Sequence, residues 1–326
     1  MSTATSSILR RALLYVPSSS PKFLQKSQSL HVDSVAYDLE DSVTINQKPA
    51  ARQNILSFLS DGPRPAHIGE VGVRINSVSS GLALEDLNVV LGAKNLDALI
   101  VPKVNKASDL HFITDILQHI LPGRHPSSTS TTANAESNPI KIIALIESAE
   151  SLTNLNAICK ASPYLSGLIF AAEDFALDLS LTRTPGLSEF LYARSAIATA
   201  ARAHNLPSTI DLVCTKFRGE EGLRTLEEEC LGGRGLGFNG KQCIHPSQVE
   251  VAQKAFAPGD KEVEWAVRVV IGDAKADAGG RGAWTLDGTM IDVPVVGKAK
   301  ATVKRAEQCG IDVDAIKEKW KHQEPA

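Results

Sequence analysis

The sequence lacks the cysteine and histidine spacings that mark zinc sites and disulfide frameworks. Its five cysteines are scattered over 326 residues without a CxxC pair, and its eight histidines include no HExxH motif. An odd number of dispersed cysteines in a chain of this length is typical of reduced thiols. The cysteine pattern therefore predicts an intracellular protein.

An excess of one charge and long apolar runs are also missing. The 34 basic and 37 acidic side chains give a formal net charge of −3, which offers no electrostatic reason to expect nucleic acid as a partner. No apolar stretch is long enough to cross a bilayer, so we expect no membrane partner either. Small acidic molecules remain candidate ligands, because a local arginine or metal ion can oppose the average charge.

The first residues, MSTATSSILRR, are rich in Ser and Thr, lack acids and carry Arg10 and Arg11. This composition fits either the remnant of a mitochondrial targeting segment or a plain disordered N-terminus. We predict a flexible segment over residues 1–10. The first reading places the protein in the mitochondrion and the second in the cytoplasm.

The chain does contain eight short apolar runs that alternate with helix-like segments. The runs span 12–16, 34–39, 72–75, 98–103, 142–147, 168–172, 209–213 and 237–244. They are rich in Val, Ile and Leu without clean alternation, as expected for parallel strands covered on both faces. Eight such repeats predict an α/β fold, a TIM (β/α)8 barrel, over residues 11–257. An open doubly wound sheet is the rival, but its GxGxxG turn is absent after the first run.

Two segments depart from this repeat. Residues 122–139, PGRHPSSTSTTANAESNP, form a polar tract that predicts a mobile surface insertion. Residues 258–326 are too short for an independent domain and predict a C-terminal helical extension. Its glycine-rich stretch is a loop that can reach an active site or a neighbouring subunit.

Two of the apolar runs are followed by carboxylates. KIIALIE closes on Glu147 and LIFAAED on Asp174, 27 positions later, which is about one strand–helix–strand unit. The carboxyl ends of barrel strands form the face that carries the active site. Two carboxylate ligands with room for water and substrate suit Mg²⁺. Each acid alone would be read as a helix cap, and Glu173 competes with Asp174 for the inward position.

A second acidic group follows the second strand. Asp38, Glu40 and Asp41 end SVAYDLED, and they either orient a catalytic group and metal-bound water or form a solvated loop. Acids beside a metal pair repel one another unless a cation is present, which strengthens the metal hypothesis. Arg74, at the end of the third strand, is placed to bind a carboxylate or stabilise an enolate oxygen. Its structural alternative is an ion pair with these acids.

Lys103 and Asp292 offer two further chemistries. Lys103 ends the fourth run, where a Schiff-base aldolase would need a lysine, but nearby acids would keep its ammonium protonated. Structural pairing is therefore the preferred interpretation. Asp292, in GTMIDVP, lies among apolar residues that would raise its pKa for acid–base work. Taken alone, it is better explained as a turn or cap residue before Pro294, and its catalytic interpretation depends on the family resemblance described below.

Eight stretches of the chain together carry a family resemblance. They are RRALLYVPSSSPKFLQKS, SVAYDLEDSV, VRINS, LIVPKV, IALIES, FAAEDFALDL, GFNGKQCIHPSQVEV and GTMIDVP. In order and spacing they resemble the citrate lyase beta-subunit-like family, part of the wider HpcH/HpaI aldolase and malyl-CoA lyase group. The resemblance runs from Arg11 to Gln308. TRTPGLSEFLYARSAI, IDLVCTKFRGEEGL and GKQCIHPSQ are most similar to the mitochondrial branch that cleaves citramalyl-CoA.

The resemblance implies a TIM barrel, usually a homotrimer, that breaks or forms a carbon–carbon bond next to a CoA thioester with Mg²⁺. It implies that Glu147 and Asp174 are the metal ligands and that Arg74 is the substrate arginine. It also implies that Asp292 is the acid–base aspartate of the CoA-lyase branch, which a neighbouring subunit often supplies.

Three more residues are candidates for binding substrate or CoA within this resemblance, namely Arg11, Lys22 and Glu40. Asp38 and Asp41 complete the catalytic candidates. One departure bears on CoA, since Ser18 stands where the family's YVPG opening has glycine.

The expected reaction is cleavage of a 3-hydroxyacyl-CoA acid of the citramalyl-CoA or malyl-CoA type to acetyl-CoA and a 2-oxo acid. The reverse direction would be a condensation like that of malate synthase. Two alternatives stay open: a metal-dependent class II aldolase acting on free hydroxy-oxo acids, and a non-catalytic CoA-binding barrel.

Overall fold

Eight parallel strands close into a barrel in the order of the chain. The computed structural model describes residues 8–61, 64–126 and 139–325. Each strand pairs in parallel with its neighbours in sequence, and β8 returns to β1, as predicted for a TIM barrel. The strands are β1 (Ala12–Pro17), β2 (Val32–Asp38), β3 (Ile68–Arg74), β4 (Ala98–Val101), β5 (Lys141–Ile146), β6 (Leu165–Phe170), β7 (Ser208–Asp211) and β8 (Gly240–Cys243).

Helices follow the strands and cover the outside of the barrel. They are α1 (Pro21–Ser27), α2 (Lys48–Asp61), α3 (Ala83–Val90), α4 (Ala107–Ile120), α5 (Ala149–Thr153), α6 (Leu155–Lys160), α7 (Ala172–Asp178), α8 (Leu191–Ala203), α9 (Gly219–Gly235) and α10 (Val249–Ala255). Ser20 caps α1 and Pro21 occupies its first turn, a position where the missing N–H costs nothing.

The strands are apolar on both faces because each separates two buried layers. Residues pointing into the barrel form one cluster, which includes Leu13, Ile100 and Ile169. Residues pointing outward pack against the helices in a much larger cluster. Every residue of β6 is buried, which explains why its sequence shows no alternation between polar and apolar positions.

A buried ion pair fills the amino-terminal end of the barrel. Arg10 is 1% exposed, and its guanidinium donates to both oxygens of Glu70 at 2.6 and 2.8 Å. It also donates to the Ser166 hydroxyl and carbonyl. The sequence predicted a flexible segment over residues 1–10, but these contacts fix Arg10 in the barrel. Residues 1–7 lie outside the described residues.

The remaining residues form a second unit that begins at Ala257. It contains α11 (Asp260–Ala278), the antiparallel pair β9 (Trp284–Leu286) and β10 (Thr289–Ile291), α12 (Val293–Gln308) and α13 (Val313–Trp320). These elements share their own apolar cluster, in which the Trp284 indole packs against α11 at Gly272. The helices expected for the C-terminal extension are present.

Two other expectations bear on the surface of the chain. Most of the polar insertion predicted over 122–139 falls on residues 127–138, which lie outside the described residues; Pro122–Arg124 form one turn of 3-10 helix. Among the described helices, none has the length and apolar character needed to cross a membrane.

Candidate active site

A cavity of about 380 Å³ opens at the carboxyl-terminal edge of the barrel strands. Six of the residues discussed from the sequence line it, namely Asp38, Asp41, Arg74, Glu147, Glu173 and Asp174. Tyr15 and Gln242, which were not singled out, line it as well. This edge is where enzymes of this architecture bind their substrates.

Glu147 directly follows β5 and is 5% exposed. Its Oε1 accepts the backbone N–H of Lys103. Burial raises the pKa of Glu147 to about 8; the Lys103 N–H opposes this rise, while the negative charges of Glu40 and Asp174 add to it. A buried carboxyl group that is crowded by other acids is stabilised as an anion by a nearby cation.

Asp174 and Glu173 are neighbours in the first turn of α7, but their surroundings differ. Glu173 forms an ion pair with Arg183, whose guanidinium also binds Glu229 at 2.8 Å. Both acids line the cavity, but among the described residues the Asp174 carboxylate makes no hydrogen bond or ion pair. The sequence left open which of the two acids faces Glu147. The structure leaves the Asp174 carboxylate available and the Glu173 carboxylate already paired.

The donor set fits a hard divalent cation. Glu147 and Asp174 supply carboxylate oxygens to one cavity, and the negative charge of Asp174 adds to the rise in the Glu147 pKa. Oxygen ligands of this kind, with space for water, are what Mg²⁺ prefers. Within residues 8–61, 64–126 and 139–325, no group of three or more His, Cys, Asp or Glu side chains is arranged as a metal site. A cation held by Glu147 and Asp174 alone would leave coordination positions open for water and substrate.

Arg74 ends β3 and forms a two-pronged ion pair with Asp38. Its Nε and Nη2 donate to the two Asp38 oxygens, both at 2.7 Å, and its guanidinium lies 4.6 Å from the centre of the Tyr15 ring. Asp38 is fully buried and also accepts the backbone N–H groups of Glu40 and Ser42. Burial disfavours the charged carboxylate, but these bonds and the charge of Arg74 outweigh it and hold the Asp38 pKa below its ordinary value.

Glu40 links Arg74 to Lys103. One Glu40 oxygen lies 3.0 Å from Arg74 Nη1, and the other accepts from Lys103 Nζ at 2.7 Å. Burial would lower the pKa of Lys103, but its bond to Glu40 and the nearby acids raise it above the ordinary lysine value instead. The lysine therefore stays protonated at neutral pH, as the sequence suggested, and is a poor Schiff-base nucleophile.

The other sequence candidates lie in different places. Asp41 is at the same edge, with its side chain 60% exposed and 3.9 Å from Arg74. Lys22 is exposed in the first turn of α1, which follows β1 at this edge. Arg11 precedes β1 and pairs with Asp33 near the start of β2. Both residues lie at the amino-terminal end of the barrel, opposite the end that carries the cavity. The structure therefore does not bring Arg11 together with the other candidates, because the strand length separates them.

Asp292 belongs to the second unit, at the start of α12. Its carboxylate accepts the backbone N–H of Val295 at 3.2 Å and caps the helix. Within its own unit, Asp292 therefore acts as the helix cap considered from the sequence. Its neighbours Met290 and Val293 are 64% and 79% exposed.

Tyr15 and Gln242 are cavity residues that were not singled out from the sequence. The Tyr15 hydroxyl donates to Gln242 Oε1 at 2.9 Å, and Gln242 Nε2 donates to the carbonyls of Phe170 and Asp211. Burial raises the pKa of Tyr15 well above its ordinary value, so the phenol stays neutral. A polar residue within the buried strand GKQC was the available signal, because a buried amide needs hydrogen-bonding partners.

Comparison with known proteins adds to this geometry. Residues 11–246 match the family model described as HpcH/HpaI aldolase/citrate lyase. The chain is 36% identical to the mitochondrial citramalyl-CoA lyase of Homo sapiens, over 92% of this chain and 86% of that protein. It is 37% identical to citrate lyase subunit beta of Haemophilus influenzae, over 92% of this chain and 97% of that protein.

A solved structure is also similar over nearly the whole chain. It is the protein CitE from Mycobacterium tuberculosis in complex with magnesium, acetoacetate and coenzyme A. The match has a TM-score of 0.70 and 27% sequence identity, and it covers 92% of this chain and 98% of that one.

Proposed function

The chain belongs to the HpcH/HpaI aldolase/citrate lyase family and is a carbon–carbon lyase, and we propose that its substrate is a 3-hydroxyacyl-CoA acid. Cleavage of a substrate of the citramalyl-CoA or malyl-CoA type gives acetyl-CoA and a 2-oxo acid, with Mg²⁺ as cofactor. The observation that carries this proposal is one cavity lined by Glu147, Asp174 and Arg74.

The names of the relatives support the substrate class. Citramalyl-CoA lyases of three mammals and a (3S)-malyl-CoA thioesterase of Cereibacter sphaeroides are among the similar proteins. The structural relative from Mycobacterium tuberculosis binds magnesium together with coenzyme A. The mammalian relatives are mitochondrial, and we include a mitochondrial location and the homotrimer implied by the family resemblance in the proposal.

Glu147 and Asp174 would hold the Mg²⁺ ion. Bound there, the ion supplies Lewis-acid polarisation of the substrate's hydroxyl and carboxylate oxygens. The protein's own contribution is to present two carboxylates whose crowding favours a cation. The Lys103 N–H keeps one oxygen of Glu147 engaged and so fixes the orientation of that carboxylate.

The cleavage step is balanced without any added oxidant or reductant. The hydroxyl group of the substrate loses its proton and becomes the ketone of the 2-oxo acid. The electrons of the broken carbon–carbon bond pass to the thioester as an enolate, which then takes up a proton at carbon. In the reverse direction a proton leaves the acetyl methyl group and the resulting enolate carbon adds to the ketone carbon of the 2-oxo acid. The ketone π bond breaks and its oxygen takes up a proton to become the hydroxyl group, as in a malate-synthase-like condensation.

Arg74 would stabilise the oxygen on which negative charge develops. Two N–H groups are bound to Asp38 and a third faces Glu40, so two of the five donors of a guanidinium are left for a ligand in the cavity. The Asp38 pair fixes the guanidinium plane before substrate arrives, which is what electrostatic stabilisation of a transition state requires. Asp38 is then an orienting group, and Asp41 an exposed acid beside it.

Asp292 would provide the acid–base function at the enolate carbon. This assignment rests on the family resemblance of GTMIDVP. Within its own unit Asp292 caps a helix N-terminus, and the nearby side chains of Met290 and Val293 are exposed, so a partner surface can pack beside it. Replacement of Asp292 by asparagine keeps the helix cap and removes the acid.

The test is an assay of product release. Purified protein is incubated with citramalyl-CoA, malyl-CoA or citryl-CoA, with and without EDTA, and the released 2-oxo acid is measured. We expect release from at least one of these thioesters, loss of release in EDTA and recovery with added Mg²⁺. Asp292→Asn should abolish release from the thioester while leaving the circular dichroism unchanged.

Two results would contradict the proposal. Equal cleavage of free hydroxy-oxo acids by wild type and Asp292→Asn would point to a class II aldolase that needs no thioester. Absence of any cleavage, together with no exchange of the acetyl-CoA methyl protons in deuterated water, would point to a non-catalytic barrel.

A further inference from the structure

Lys103 has an unusual backbone conformation at the edge of the cavity. Its φ is +51°, in the left-handed region, and it is one of five non-glycine residues with positive φ in the described part of the chain. Apart from asparagine and aspartate, L-residues rarely adopt this conformation, because the side chain crowds the backbone, whereas glycine adopts it readily. Such residues persist where surrounding structure fixes them, and they concentrate at functional sites.

The surrounding structure does fix Lys103. β4 ends at Val101, and the fully buried Val104 donates its N–H to the Leu145 carbonyl of β5 at 3.4 Å. Asn105 then donates its N–H to Asp109, which anchors the start of α4. The chain is thus held on both sides of Lys103, and the left-handed residue makes the turn between them.

The turn aims one group at each half of the site. The backbone N–H of Lys103 donates to Glu147 Oε1. The side-chain Nζ binds Glu40 Oε1 at 2.7 Å, and the other Glu40 oxygen lies 3.0 Å from Arg74. One residue therefore contacts both the metal-ligand candidate and the acid that borders the substrate arginine.

We propose that Lys103 is a positioning residue with two separable roles. Its left-handed backbone orients the Glu147 carboxylate for the metal ion, and its ammonium group holds Glu40 beside Arg74. Glycine would satisfy the first role but not the second. This role rests on the proposed function, because it takes Glu147 to be a metal ligand.

The two roles are separated by a series of substitutions at this one position. Lys103→Gly and Lys103→Asn remove the ammonium but tolerate the left-handed backbone. Lys103→Ala and Lys103→Val remove the ammonium and disfavour that backbone, the β-branched valine most strongly. Lys103→Arg keeps a cation that can reach Glu40. The Mg²⁺ dissociation constant is measured by calorimetry and kcat by product release, with circular dichroism and the thermal midpoint as folding controls.

We expect Mg²⁺ affinity to follow the backbone and turnover to follow the charge. Lys103→Gly and Lys103→Asn should bind Mg²⁺ as wild type does, whereas Lys103→Val should bind it about 10-fold to 100-fold more weakly, the usual effect of losing a group that supports a metal ligand. All four variants without the ammonium should lose roughly 10-fold in kcat. Lys103→Arg should recover most of that loss. If Lys103→Val does not fold, Lys103→Ala gives the same comparison.

Equal Mg²⁺ affinity in the glycine and valine or alanine variants would overturn the backbone role. Wild-type kcat in Lys103→Gly would overturn the ammonium role. If Glu147→Gln binds Mg²⁺ as tightly as wild type does, the proposed metal site is contradicted. The backbone role of Lys103 is then contradicted as well, because it takes Glu147 to be a metal ligand. Comparing wild type with Glu147→Gln therefore distinguishes failure of the proposed metal site from failure of the proposed roles of Lys103.

Discussion

Replacement of Arg74 by methionine tests how the arginine and its acids work together. The substitution keeps much of the side-chain volume and its contact with Tyr15 but removes the guanidinium. Asp38, which is fully buried, would then lose both 2.7 Å bonds and keep only its two backbone donors. Breaking a buried ion pair by removing one partner costs about 3–5 kcal/mol of folding stability.

The kinetic effect should be separate from the loss of stability. One donor at a developing oxyanion is worth ~3 kcal/mol, so we expect kcat of Arg74→Met to fall about 100-fold or more. Arg74→Lys, which keeps a charge but cannot fork onto Asp38, should lie between wild type and Arg74→Met. The double variant Asp38→Asn with Arg74→Met should regain stability, because no buried charge is left unpaired, yet should not regain turnover.

Urea unfolding measures the stability, and steady-state kinetics the turnover, of wild type, Arg74→Met, Arg74→Lys and the double variant. The low pKa of Asp38 in the folded protein means that its ion pair stabilises the fold above the ordinary aspartate value, and that this contribution is lost as pH falls through the folded pKa. The stability gap between wild type and Arg74→Met should therefore narrow in acid. Wild-type kcat in Arg74→Met, or a double variant that recovers turnover, would refute the reasoning.

Three further predictions follow from particular contacts. In metal-free protein burial raises the pKa of Glu147 from 4.5 to about 8. The contribution of this one carboxyl group to stability should therefore be fully present below pH ~4.5 and be lost, by on the order of 3–5 kcal/mol, as pH rises from there through about 8. Thermal scans in EDTA measure it as the pH-dependent difference between wild type and Glu147→Gln, which lacks the titrating group. Gly272→Ala would place a Cβ 2.4 Å from the Trp284 ring and should destabilise the protein by about 1–3 kcal/mol. Gly297→Ala, whose Cβ would have nothing within 4 Å, should stabilise it by roughly 0.5–1 kcal/mol. The urea midpoints of the two variants and wild type measure both changes. Arg10→Met should cost about 3–5 kcal/mol of stability but leave kcat and KM unchanged where the protein is folded, because Arg10 lies at the other end of the barrel.

The barrel could be predicted from the sequence because its strands have a simple physical signature. Strands covered on both faces must be apolar throughout, and eight such runs at regular spacing leave few other folds. The same reasoning located Glu147, since a polar residue directly after a buried strand must lie at the strand's carboxyl end. Asp174 was harder, because β6 ends at Phe170 and the acid is carried by the first turn of α7.

The pairing of the charged groups could not be predicted in the same way. Glu173 and Asp174 differ by one position, and only the location of Arg183 decides which carboxylate is neutralised. The positive φ of Lys103 left no trace in sequence, since left-handed backbone is usually signalled by glycine or asparagine.

Arg11 shows the limit of motif matching. It sits next to a strand that reaches the site, but it precedes that strand and pairs with Asp33 at the far end. Sequence proximity to a functional strand does not say which end of it a residue occupies until the strand's first residue is known.

The most direct test of the central claim is a calorimetric titration of the metal-free protein with Mg²⁺. Wild type should bind one ion per chain, and Glu147→Gln and Asp174→Asn should each weaken binding at least 10-fold, as expected when a ligand is lost. Glu173→Gln is the matched control and should bind as wild type does, because its carboxylate is already paired with Arg183. Wild-type affinity in either ligand variant, or loss of binding in the Glu173 variant alone, would contradict a metal site built on Glu147 and Asp174.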